Sequence, residues 1–181
     1  LLAGATGFTP LKNMGNRTFQ VLANVPTNSQ QTFLALGDFD GNKLLDVFGV
    51  NAFWLAQPNF LFGMPLAVFL SPNHGLATDV NGDGKMDVLL ALQAGTNNVG
   101  VILGNGDGTL KQNVMQTSLV SLRFAGVAIA DWNGDGIGDV LAPGVDDSSM
   151  NFFYGDNGGT LQAPINFQTV GALPRIPAMG D

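Results

Sequence analysis

One nine-residue pattern, D-x-[DN]-G-[DN]-x-x-x-D followed by valine, recurs three times in this chain, at Asp38–Asp46, Asp79–Asp87 and Asp131–Asp139. The second copy starts 41 residues after the first and the third 52 after the second; a fourth start falls at Asp181, 50 residues further on. A repeat of this period means that one small unit is stacked on copies of itself, because a single unit cannot bury its apolar face alone.

The flanks repeat in the same order. A short apolar run precedes each pattern (33–36, 76–77 and 127–130) and another follows it (47–50, 88–92 and 140–142). A third run ends in glycine: 59–63, 99–104 and 151–155. A glycine-rich turn then leads into a fourth run. The turns at 104–110 and 155–161 match closely, 13–19 is a degraded copy, and the first repeat uses the short Gly63-Met64-Pro65 instead. Four short strands per repeat of 40–50 residues predict an all-β chain, a β-propeller built of four-stranded antiparallel blades. Full repeats are expected at 32–71, 75–120 and 125–170. Residues 1–22 would supply the end of a preceding blade and 172–181 the first strand of a following one. The segment would thus hold about three and a half to four blades and belong with a longer chain or with neighbouring subunits. The start at Leu1, without an initiator methionine, is read in the same way.

Composition agrees. All 14 acidic residues are aspartates, and glycine numbers 25. Asp and Gly favour turns, and Asp is poor inside helices because its short carboxylate competes for nearby backbone groups. A net charge of −7 argues against nucleic acid as a partner, which needs a basic surface. The lack of cysteine excludes disulfides, zinc–thiolate sites and thiol catalysis. No apolar run is long enough to span a membrane.

Nine of the 14 acidic residues sit in the three repeated loops. In a tight loop the side chains at positions 1, 3 and 5 converge, position 7 offers its carbonyl, and a carboxylate at position 9 closes the far side. Hard oxygen donors in such a loop suit Ca²⁺. The flanking strands and the Asp at position 9 separate this loop from an EF-hand. Three Ca²⁺ would bring the formal charge from −7 to −1. The competing reading is a plain Asx-turn without metal. Loop one departs from the others in having Lys43 where they have Gly84 and Gly136, a position expected to need φ > 0.

The triple aspartate loop and its flanking runs resemble the FG-GAP/VCBS repeats of integrin α-subunit propellers and of many exported bacterial proteins, over nearly the whole chain. The resemblance implies a propeller with Ca²⁺ between the first and second strands of each blade, three sites in all. The ligands it implies are, in loop one, Asp38, Asp40, Asn42, the Leu44 carbonyl and Asp46. In loop two they are Asp79, Asn81, Asp83, the Lys85 carbonyl and Asp87. In loop three they are Asp131, Asn133, Asp135, the Ile137 carbonyl and Asp139. It further implies an extracellular or cell-surface setting and a non-catalytic role in adhesion or in binding a protein or carbohydrate. The alternatives are a lectin, and the propeller of a polysaccharide lyase or other extracellular enzyme. A lyase needs an ionisable cluster on one face, whereas the seven Lys and Arg are scattered.

No catalytic residue is expected. His74, the lone histidine, is placed in a turn with no nucleophile or acid beside it. Asn16-Arg17-Thr18 fits a glycosylation sequon, meaningful in a eukaryotic secretory setting. Gly104–Gly108 resembles a phosphate loop but leads into a strand, so it is read as a hairpin. Ligand contact is expected on the face opposite the calcium loops, at 52–58, 93–98 and 144–150 within blades and at 23–31, 113–124 and 162–175 between them. Trp54 is the expected anchor there, with packing against a neighbouring blade as the alternative. Asp146 and Asp147 are the polar candidates, the alternative being a solvated loop.

Overall fold

The computed structural model describes residues 1–27, 30–31, 33–68, 70, 72–92, 99–116, 124–144 and 148–169. Among them there is no α-helix; a single 3-10 turn spans Pro58–Phe60. Strands β1 (Leu2–Gly4), β2 (Gly7–Thr9) and β5 (Val25–Pro26) form a three-stranded sheet, with β3 (Leu11–Gly15) and β4 (Thr18–Val21) as a hairpin between them. The first four-stranded sheet holds β6 (Leu34–Gly37), β7 (Asp46–Gly49), β8 (Ala52–Trp54) and β11 (Leu66–Ala67); β9 (Ala56–Gln57) and β10 (Leu61–Phe62) pair separately. The second holds β12 (Pro72–Thr78), β13 (Asp87–Leu92), β14 (Val99–Gly104) and β15 (Leu110–Gln116). The third holds β16 (Ala128–Ala130), β17 (Asp139–Pro143), β18 (Ser149–Phe153) and β19 (Ile165–Gln168). Each is an antiparallel meander in chain order, so each is a blade.

The blades stack face to face, and strand periodicity shows why. Successive side chains of a strand point to opposite faces. Val47 and Trp54 turn toward the amino-terminal sheet and join Phe8, while Phe48 and Phe53 turn to the second blade and join Val88, Leu90 and Ile102. Leu89, Ala91, Val99 and Val101 face the third blade and join Val140, Ala142 and Phe153. The second blade is covered on both faces, so every residue of β13 and of β14 is buried. This is why these strands read as unbroken apolar runs rather than as alternating ones. Burying each large aliphatic side chain there contributes about 1.5–3 kcal/mol.

The first blade departs from the expected order. Its third strand is 52–54, not 59–63. A tight turn at Val50 and Asn51, with Asn51 at φ 62°, returns the chain directly, pairing Gly49 with Ala52 and Val47 with Trp54. The run at 59–63 instead forms the far arm of the β9–β10 hairpin, closed by the Gly63 N–H donating to the Leu55 carbonyl at 2.9 Å. Both stretches are apolar enough for the strand. Only Phe53 and Trp54 can fill two interfaces at once. His74 is likewise not in a turn: it lies in β12, opposite Ala91 and just past an irregularity at Pro72.

Candidate metal centre

The three aspartate loops join the first and second strands of their blades and share one hydrogen-bonding plan. At position 1, Asp38 accepts from the N–H groups of Asn42 (3.1 Å) and Lys43 (2.8 Å); Asp79 from Asp83 (3.1 Å) and Gly84 (2.7 Å); Asp131 from Asp135 (3.0 Å) and Gly136 (2.9 Å). At position 3, Asp40, Asn81 and Asn133 each accept from the N–H of position 5. At position 5, Asn42, Asp83 and Asp135 accept from the N–H of Leu44, Lys85 and Ile137. Short Asx side chains are required because they reach backbone donors two to five residues ahead. The same bonds fix how these side chains are oriented in each loop.

Position 9 does a second job. Asp46, Asp87 and Asp139 are fully buried. One oxygen of each accepts from the N–H at position 2: Phe39 (2.7 Å), Val80 (3.0 Å) and Trp132 (3.0 Å). The other accepts from an N–H just beyond the third strand or at its end: Ala56 (2.7 Å), Gly104 (2.8 Å) and Gly155 (3.0 Å). The carboxylate thus ties the loop to the body of the blade. It also shows that Ala56, not Gly63, is the counterpart of Gly104 and Gly155.

Burial is the main cause pushing the Asp46 and Asp87 carboxyls above the usual carboxylate range. Their backbone N–H bonds oppose it, and the negative neighbours Asp40 and Asp38, or Asp83 and Asp79, add to it. Among the described residues the sole ion pair is Lys85 with Asp83, at 3.9 Å and on the surface. Each loop holds three aspartates against at most one lysine, Lys43 in loop one and Lys85 in loop two, so each carries a net negative charge.

Asp38, Asp40 and Asp46 each place an oxygen within 4.8 Å of the others. Oxygens on opposite sides of a Ca²⁺, at its usual bond length of 2.3–2.6 Å, lie about that far apart. The donor set of loop one therefore fits a calcium ion. Loops two and three have Asn81 or Asn133 at position 3 and their three aspartates at positions 1, 5 and 9; among the described residues only loop one draws three carboxylates this close.

The other expected contacts fare differently. Trp54 is 1% exposed, edge-on to Phe8 with ring centroids 5.2 Å apart, and its indole N–H finds no partner. It is a core residue and not a surface anchor, because it belongs to β8 rather than to a connection. The exposed tryptophan is Trp132, at 66%, packed edge-on to Phe152. Its counterparts at loop position 2, Phe39 and Val80, are covered by the blade that follows each. Asp146 and Asp147 lie outside the described residues. Sequence reasoning also missed the concave surface beside loop one, where Lys43, Leu44 and Leu45 meet the β9–β10 hairpin in a pocket of about 390 Å³. That pocket is on the aspartate-loop side. The signal was present in the sequence as the unusual connection between Leu55 and Leu66.

No curated protein sequence matches the chain. Among solved structures, the chain is similar to a lectin of Agrocybe aegerita described for specific recognition of non-reducing terminal N-acetylglucosamine. The TM-score is 0.58 and the identity 21%, over 90% of this chain and 46% of that one. The chain thus spans under half the length of that lectin, and the likeness concerns the fold: a β-propeller of four-stranded antiparallel blades. The family model of the FG-GAP-like repeat matches residues 79–142, from the start of loop two to β17. The segment holding two of the three aspartate loops and the strands between them thus matches an FG-GAP-like repeat, within a chain of propeller blades.

Proposed function

We propose that this chain is a calcium-stapled segment of a secreted or cell-surface β-propeller that acts, without catalysis, as a binding module for a carbohydrate or protein ligand. The observation that carries the reading is the one bond plan shared by three loops of oxygen donors, each with three aspartates and at most one lysine of its own. The implied ligands are those named from the repeat, with Asp38, Asp40 and Asp46 the best supported by geometry. When bound, Ca²⁺ would neutralise these carboxylates and cross-link each loop to its own blade through position 9. The fold shared with a sugar-recognising lectin favours a carbohydrate over a protein ligand. Partnership with the rest of a longer chain, or with neighbouring subunits, belongs to the same reading.

Calorimetric titration of the chelator-stripped protein with CaCl₂ tests the metal. Three equivalents should bind, and the thermal midpoint should fall in EDTA. At a dissociation constant near ~0.1 mM and ~2 mM Ca²⁺, each site adds about 1.8 kcal/mol. An unchanged midpoint and no binding heat would reduce the loops to Asx-turns. A glycan array probed in Ca²⁺ tests the ligand; capture of no glycan would leave the protein-binding reading.

A further inference from the structure

The pocket beside loop one goes beyond that reading. It holds about 390 Å³, within the range of small-molecule sites. Its walls include Pro10, Leu36, Leu44, Leu45, Phe60 and Phe62. Its polar lining residues are Lys43, Gln57 and Asn59, with no Asp or Glu among them. At the rim, the Lys12 ammonium lies 5.7 Å from the centre of the Phe60 ring. Neither Lys12 nor Lys43 has an acidic partner among the described residues. In a chain of net charge −7, the one charged side chain among the lining residues is basic.

The hairpin that shapes the pocket belongs to blade one alone among the three blades. It stands where blades two and three have tight glycine turns. It holds two successive residues in the left-handed region, Asn59 at φ 64° and Phe60 at φ 62°. Backbone held in that region by its surroundings collects at ligand clamps. Phe60, Leu45 and Leu61 are about half exposed around the mouth. Apolar side chains grouped on a surface mark an interaction site.

We infer that this pocket binds a small amphiphile with an aliphatic or aromatic body and a single anionic head, the body lying among the leucines and phenylalanines and the head meeting Lys43. A sugar ring, which needs a dense set of hydrogen-bonding groups, fits the apolar lining poorly.

Octanoate is the probe, titrated by ligand-observed NMR in calcium-containing buffer, with octanamide as its uncharged counterpart. Octanoate should bind saturably, one per chain, with a dissociation constant of about 1 mM or tighter. Octanamide should bind at least about fivefold more weakly, since it lacks the charge. Lys43→Gly should weaken octanoate by a similar factor without lowering the thermal midpoint, and Phe60→Ala should weaken both compounds. No saturable binding, equal binding of both compounds, or binding untouched in both variants would overturn the proposal. So would displacement of octanoate by N-acetylglucosamine, which would make the pocket a sugar site. Because Lys43 and Leu44 belong to loop one, the calorimetric CaCl₂ titration is repeated on Lys43→Gly, which separates loss of octanoate from loss of the ion.

Discussion

Blade one and blades two and three are built on the same plan and finish it differently. In blades two and three the third strand ends in a glycine, Gly104 or Gly155, whose N–H meets the buried aspartate. A Cβ on either would come within 2.1 Å of the Met86 carbonyl oxygen or 2.3 Å of that of Gly138. The chain then turns at once through a short Asp/Thr hairpin. In blade one the same place is Ala56, the turn is replaced by the β9–β10 hairpin, and loop one carries Lys43 at φ 68° where Gly84 and Gly136 stand at 80° and 86°. Two blades are optimised as repeats. The third spends backbone strain on a pocket and a cation beside its aspartate loop. Departure from a repeat on one side of a blade thus marks where a repeat protein can carry something specific.

The largest expected effect tests whether the buried aspartates are equivalent. Asp46→Ala and Asp87→Ala each leave two buried N–H groups without an acceptor, at about 2–5 kcal/mol. Chemical denaturation should show comparable losses for both. A small loss for Asp46→Ala alone would break the correspondence of Ala56 with Gly104. Next in size, Gly104→Ala and Gly155→Ala should each cost about 1–3 kcal/mol, because the backbone must shift to admit the methyl group. Ala56→Gly should cost no more than about 1 kcal/mol. Equal effects at all three positions would mean that blade one is as tightly closed as the others.

Much of the candidate site was legible because its bonds are local. Within each loop the Asx side chains and their N–H partners lie within nine residues of one another; only the second bond of the position-9 aspartate reaches further, to Ala56, Gly104 or Gly155. The loop plan therefore follows from the order of residues, including the strain at Lys43. That strain supplies a third prediction. Lys43→Gly should raise stability by up to about 1 kcal/mol, less the entropy that glycine adds to the unfolded chain. Gly84→Lys should lower stability by about 1 kcal/mol. Thermal unfolding in EDTA, which removes any metal contribution, reads the difference directly. Opposite signs are required; the same sign for both would remove the strain argument.

The smallest expected effect concerns the turns that blade one lacks. Hydrogen bonds from Thr109 to Asp107, and from Thr160 to Asp156, hold those exposed carboxyls below their ordinary range. A carboxyl with a lowered folded-state pKa binds fewer protons folded than unfolded near and below pH 4. Its stabilisation is complete above the unfolded value of 3.8 and is lost as pH falls through the depressed one. Thr109→Val and Thr160→Val should therefore flatten the acid limb of the midpoint-against-pH curve and leave its shape unchanged above pH 5. An unaltered acid limb would show that these hydroxyls hold no charge in place.

The order of residues alone determined that this chain is a stack of four-stranded units with an aspartate loop between the first two strands of each. Turn chemistry and apolar runs act over a few residues, and three copies in register leave little freedom. Only the tertiary structure decided which apolar run of blade one becomes its third strand. Residues 52–55 and 60–62 are both unbroken apolar runs. The choice rests on Phe53 packing against the second blade while Trp54 packs against Phe8, some 46 positions earlier in the chain. That choice buried the expected anchor, moved the hairpin to the aspartate-loop side, and made Lys43 part of a pocket wall. None of these contacts is local. Each is fixed by which blade face finds which neighbour, a matter of shape and burial summed over segments far apart in sequence.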